Sequence, residues 1–225
     1  MSKKYYMVLD TETVADARIP YDVAFIIVDR AGNVIERYNS LVREVFDNPI
    51  MRHMLTRDSF AKTKADFYLN SDIPVQSFYK ITAHLHDTIC RYNCPVVAYK
   101  VSFDFKVLND LCKVMDNIEW YPEGTEFWDL LAMSLSTICD SGNYVRFCVT
   151  NGFITDSGNI SSGAEPVFAY LSNNPNFAES HTALDDCEIE AKILTAVFKR
   201  HEKLDTAPVK FVTHHPVWKK RLKTH

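Results

Sequence analysis

At 225 residues, 47% of them hydrophobic and 24% charged, the chain is long enough to bury one substantial core. It is too rich in aromatic and branched side chains to be disordered over most of its length. No apolar run approaches the ~20 residues that cross a bilayer, and a formal charge of −4 excludes attraction to a polyanion by net charge alone. From Pro208 to His225, however, stand Lys210, Lys219, Lys220, Arg221 and Lys223 and no acid. These five positive charges leave −9 on the rest of the chain.

Residues 5–10 (YYMVLD) and 23–29 (VAFIIVD) are short runs of β-branched and aromatic residues, which predicts two strands. Ala31-Gly32-Asn33 reads as a turn into a third strand over 34–39, so a meander opens the fold. Residues 45–63 read as irregular or helical, with Arg52, Arg57 and Lys62 interspersed. The spacing over 75–92 predicts a helix, and Val96-Val97-Ala98-Tyr99, just after Pro95, a buried strand. Residues 104–115 are helix-like, with Phe105, Leu108, Leu111 and Cys112 on one face.

A Gly-, Ser- and Asn-rich segment covers 140–163. Ser162-Gly163-Ala164-Glu165 then has the spacing of a capping box. The last strong helix is predicted over 183–200. Strand signals followed by alternating helix and strand signals make this an α/β protein built on one mixed sheet. The six cysteines are scattered without a C-x-x-C pair, which argues against a zinc site. The amino terminus runs straight into a strand without a secretion signal, so a reducing, cytoplasmic location is expected.

Acidic residues at three places carry the chemistry. Asp10-Thr11-Glu12 ends the first strand, and in extended geometry residues i and i+2 aim at one spot. Asp186-Cys187-Glu188 lies in a helix, where i and i+2 stand about 200° apart and share no ligand. Asp104 follows a buried strand at the start of a helix; taken alone it reads equally as a first-turn acid favoured by the helix dipole. Opening the last helix, Asp185 falls on a solvated stripe with Glu188, Lys192 and Lys199. Asp186 falls on the arc of Ile189, Ile193 and Val197. A carboxylate in an apolar arc is costly unless a cation meets it, which makes Asp186 the better ligand candidate. Glu190 breaks the same arc and has no assigned role. His181 alone reads as a capping or surface histidine.

Together VLDTET (8–13), VAYKVSFDFKVL (97–108) and HTALDDCEIEAKIL (181–194) resemble the motifs of the DEDDh, or DnaQ-like, 3′-to-5′ exonucleases. That family contains the proofreading subunit of bacterial DNA polymerase III. The resemblance runs over roughly residues 5–200. It implies an RNase H-like fold, a mixed five-stranded sheet flanked by helices, with the exonuclease domain over 1–205 and a basic tail over 206–225. It also implies that Asp10, Glu12, Asp104 and Asp186 hold two ions of Mg²⁺ or Mn²⁺, as hard oxygen ligands suit, and that His181 is the general base. Trp128-Asp129 resembles a strand between the second and third motifs.

The chain departs from the family at Tyr99-Lys100, where members often carry His-Asn. The expected partner is the 3′ end of DNA, with RNA as the alternative, and no membrane. A polymerase or repair complex in trans is the further partner the resemblance allows. Thr11, Lys100 and Phe103 near the motifs, and Lys219, Lys220 and Arg221 in the tail, are candidate nucleic-acid contacts, with Phe211 and Trp218 available for stacking. A non-catalytic nucleic-acid-binding protein on the same fold is the competing class; it gives no reason for four acids and a histidine to stand together.

Overall fold

The computed structural model describes residues 4–14, 18–57, 67–115 and 119–200. Strands β1 (Tyr5–Val14), β2 (Ile19–Asp29) and β3 (Val34–Val42) pair antiparallel in chain order, the meander expected. The turn between β2 and β3 is held by Asp29, whose carboxylate accepts the amides of Ala31 and Asn33 at 2.8 and 2.9 Å. Gly32 is required there twice over. Its φ is +89°, and a Cβ would lie 2.5 Å from Thr195 Oγ1 on the last helix.

Short helices α1 (Arg43–Phe46) and α2 (Pro49–Arg57) follow, and the rest of the expected 45–63 element lies outside the described residues. The predicted helix over 75–92 divides. Val75–Gln76 is a strand, β4, paired with Leu41 and Val42, and only Phe78–Tyr92 is helical (α3). Ser77 makes the break: its backbone is extended and its side chain accepts the Lys80 amide, so the helix begins after it.

Next come β5 (Val96–Ala98), α4 (Val101–Val114), β6 (Phe127–Asp129) and α5 (Leu130–Ser134), which runs into a π turn over Leu135–Cys139. The polar 140–163 segment holds a helix, α6 (Gly142–Asn151), capped by Ser141 and anchored by buried Tyr144 and Cys148 one turn apart. Helix α7 is Ala164–Leu171 and α8 is Ala183–Arg200. The capping box expected at Ser162–Glu165 does not form. Gly163 is the cap residue, without a side-chain bond, and the Glu165 carboxylate instead accepts the Glu179 amide.

The sheet order is β4-β3-β2-β1-β5-β6, with parallel pairs at β3/β4, β1/β5 and β5/β6. It is thus the mixed, helix-flanked α/β sheet expected, with a sixth strand where β4 extends the edge. Tyr6 and Val8, with Ala24 and Ile26, face α8 and its neighbours. Met7 and Leu9, with Phe25 and Ile27, face α3 and α4. Because both faces are covered, β2 reads from Val23 to Val28 as an unbroken apolar run instead of an alternating one. Each fully buried residue of this kind contributes about 1.5–3 kcal/mol. Among the described residues no helix is long and apolar enough to cross a membrane.

Candidate active site

β1 continues four residues past Asp10 and stays paired with β2, so Asp10 and Glu12 lie inside a regular strand. They share the parity of Tyr6 and Val8 and therefore emerge on the α8 side of the sheet. The pairing register slips between Glu12 and Thr13, ending the regular alternation just past the second acid. β5 lies parallel to β1, with Val8 opposite Val97, so the chain leaving β5 turns into α4 near Asp10. Lys100 makes that turn with φ +69°, and Asp104 falls in the first helical turn, 3% exposed. Asp186 occupies the first turn of α8.

The structure brings these acids together. One oxygen each of Asp10, Glu12 and Asp186 lie within 4.8 Å of one another. Asp104 adjoins them from α4: its Oδ1 accepts the Thr11 hydroxyl at 2.7 Å, and its repulsion of Asp10 is the strongest of any charge there. Burial, then repulsion by Asp104, Glu190, Glu12 and Asp186, drives the Asp10 carboxyl well above its ordinary range. Asp104 is pushed up to about 7 by burial, against which the Thr11 hydrogen bond works. Burial and mutual repulsion make Asp10 and Asp104 hold protons more tightly than isolated carboxylates do, protons that a cation among them would displace. The donor set is all carboxylate oxygen, which fits hard divalent ions.

Glu190, one turn beyond Asp186, is a fifth member. It is 3% exposed, accepts the Tyr99 amide at 3.2 Å, and is pushed well above its ordinary range by burial and by Asp104 and Asp186. The sequence marked it only as a break in an apolar arc. Asp185 points elsewhere: it is exposed and accepts the hydroxyls of Ser180 and Thr182 at 2.7 and 2.9 Å, closing the chain ahead of α8.

Asp22 was missed altogether. It sits opposite Glu12 in β2, fully buried, and one carboxylate oxygen accepts both the Tyr68 hydroxyl at 2.9 Å and the Ala183 amide at 3.2 Å. It thereby ties the first turn of α8 to the strand that faces the acids. An acid inside the run IPYDVAFIIVD was the signal available.

His181 precedes α8 with φ +54°, its Nδ1 3.8 Å from Glu179 Oε2. Tyr99 donates its hydroxyl to the Ser162 carbonyl at 2.6 Å, anchoring the turn between β5 and α4. Lys100 is exposed beside Asp129, and Phe103 is 39% exposed. Thr11 is buried, its hydroxyl engaged by Asp104. Lys219, Lys220 and Arg221 lie outside the described residues.

Compared with solved structures, the chain is similar to exonuclease X in complex with 5′ overhanging duplex DNA, at 16% identity and a TM-score of 0.50, covering 92% of this chain and 98% of that one. It is also similar to exonuclease I in complex with the inhibitor BCBP, at 18% identity and a TM-score of 0.61, covering 90% of this chain and 42% of that one. E. coli exonuclease I in complex with a 5cy-dT13 oligonucleotide gives 17% identity and a TM-score of 0.59, covering 89% and 41%. The fold is RNase H-like, as in these exonucleases. The chain spans about two fifths of the exonuclease I structures and nearly all of exonuclease X. No family model and no curated protein sequence matches the chain.

Proposed function

We propose that the protein is a metal-dependent 3′-to-5′ exonuclease that hydrolyses single-stranded or frayed DNA ends to 5′-mononucleotides, as a DnaQ-like enzyme with the DEDDh set of residues. The observation that carries this reading is the convergence of Asp10, Glu12 and Asp186 to within 4.8 Å, with Asp104 adjoining. These acids stand far apart in sequence and come from three separate elements of the fold.

Asp10, Glu12, Asp104 and Asp186 would hold two divalent ions, Mg²⁺ or Mn²⁺, which supply activation of water and stabilisation of the leaving 3′-oxygen. Thr11 fixes the orientation of Asp104, and Asp22 fixes the start of the helix that carries Asp186. His181 takes the proton from the attacking water, the general-base role that imidazole most often fills. Lys100 and Phe103 would meet a phosphate and a base plane, a role supported by their exposure where α4 begins. The DNA substrate is supported by the oligonucleotide and duplex complexes of the similar exonucleases. In this reading residues 1–205 form the exonuclease unit and 206–225 a basic tail that adds phosphate contacts.

The test is to incubate the protein with matched 3′- and 5′-labelled DNA and RNA strands, with Mg²⁺, Mn²⁺ or a chelator. Stepwise loss from the 3′ end of DNA, dependent on added metal, is the expected result. Internal cleavage, a 5′ polarity or chelator-resistant activity would overturn the proposal.

A further inference from the structure

Outside the four-acid cluster, a second group of side chains surrounds His181. Glu179 Oε2 lies 3.8 Å from His181 Nδ1, with the Glu179 side chain 13% exposed and the imidazole 36%. Glu165, in the first turn of α7, accepts the Glu179 amide at 3.0 Å, which pins the segment ahead of α8 to a second helix. One oxygen of Glu165, one of Glu179 and one ring nitrogen of His181 lie within 4.8 Å of one another. His181 itself holds a left-handed backbone, φ +54°, a conformation that a non-glycine residue keeps only where its surroundings determine it.

We propose that Glu179, backed by Glu165, is the positioning residue for His181, holding the Nδ1 edge of its ring and stabilising the imidazolium that forms during hydrolysis. The proposal rests on the reading of His181 as general base. As the attacking water oxygen bonds to phosphorus, the bond from phosphorus to the 3′-oxygen breaks, one water proton passes to the imidazole, and the departing 3′-oxygen takes a proton from solvent. With Nδ1 turned toward Glu179, Nε2 is the nitrogen left to receive it. Neither glutamate takes the proton, which is later released to solvent. A carboxylate 3.8 Å away does little for a neutral ring and attracts a charged one, so the contact strengthens as the proton transfers. Glu165 adds a second negative charge from α7, and Glu190 on α8 also feels the Glu179 charge. The ring thus sits on the edge of a negative region that favours its cationic form.

A double-mutant cycle on the full chain tests this. Single-turnover rates on labelled single-stranded DNA, with excess enzyme and saturating Mn²⁺, are compared for wild type, Glu179→Gln, His181→Ala and the double variant. Glu179→Gln is expected to slow hydrolysis about tenfold or more. DNA affinity and Mn²⁺ binding should change by less than about twofold, since both rest on other residues. Glu179→Asp, which keeps the charge, should recover part of the rate. In the His181→Ala background Glu179→Gln should add nothing, because its only route of action is gone. A wild-type rate in Glu179→Gln, or an equal loss in both backgrounds, would overturn the proposal and leave Glu179 a structural residue. A wild-type rate in His181→Ala would overturn the general-base reading itself, and this proposal with it, whatever Glu179→Gln shows.

Discussion

Replacing Asp104 by Asn should make the metal-free protein more stable at neutral pH while abolishing hydrolysis. Burial raises the Asp104 carboxyl from an ordinary 3.8 to about 7, so the folded state binds its proton more tightly than the unfolded chain does. The stability this proton contributes is complete below about pH 3.8 and disappears as pH rises through about 7. The linkage is about 1.4 kcal/mol per pKa unit, so the difference amounts to about 4 kcal/mol. Asn carries no charge, still offers an oxygen to the Thr11 hydroxyl, and relieves the repulsion that Asp104 exerts on Asp10 and Glu190. At about 2–4 °C per kcal/mol for a chain of this size, the variant should melt roughly 8–16 °C higher than wild type at pH 8 in EDTA. The gap should close toward pH 4. Urea titrations and thermal melts at several pH values, in EDTA and again in Mn²⁺, measure it. Ion binding to the native state should stabilise wild type and do little for the variant. A variant no more stable than wild type at pH 8, or one with the same pH slope between 4 and 7, would refute the claim that burial outweighs the Thr11 hydrogen bond at Asp104.

Asp186→Ala should abolish hydrolysis and weaken Mn²⁺ binding in calorimetric titrations. Asp185→Ala, which loses only the Ser180 and Thr182 hydroxyls, should keep most activity; equal loss in both folded variants would reverse the assignment. Asp22→Ala leaves the Tyr68 hydroxyl and the Ala183 amide without their acceptor. At about 1–3 kcal/mol for each buried donor so exposed, urea denaturation should show a loss of roughly 2–6 kcal/mol. Tyr68→Phe should cost only about 1 kcal/mol, because the carboxylate keeps the amide; equal costs would argue against a shared acceptor. Removing residues 208–225 should weaken DNA binding more at low salt than at high salt, because phosphate contacts release counterions. Binding curves that shift equally at both salts would dispose of the tail as a phosphate contact.

Much of the fold was legible because its signals are local. The runs at 5–10 and 23–29 are apolar on successive residues, which happens when a strand is covered on both faces. The bounds of the last helix, 183–200, follow from an apolar arc that only a helical period explains. The helical wheel also separated Asp186 from Asp185, since neighbours in a helix point about 100° apart. β4 was not legible, because two residues carry no period and their strand character comes only from pairing with Leu41 and Val42. The helix within 140–163 was hidden by its polar composition; it is held by Tyr144 and Cys148 reaching a core assembled by other elements. The capping box failed because Glu165 found a better use in accepting the Glu179 amide fourteen residues away.

The candidate site divides along the same line. Residue type and strand parity are properties of a short stretch of chain, so Asp10 and Glu12 on one face, and Asp186 on the inner side of its helix, needed no knowledge of the fold. Distances between elements are not local. That Asp104 receives the Thr11 hydroxyl, that Asp22 ties β2 to α8, and that Glu165 on α7 accepts the Glu179 amide depend on how strands and helices cross in space. Only there do the acids crowd closely enough to raise one another's proton affinity, which is the physical ground for proposing that cations sit among them.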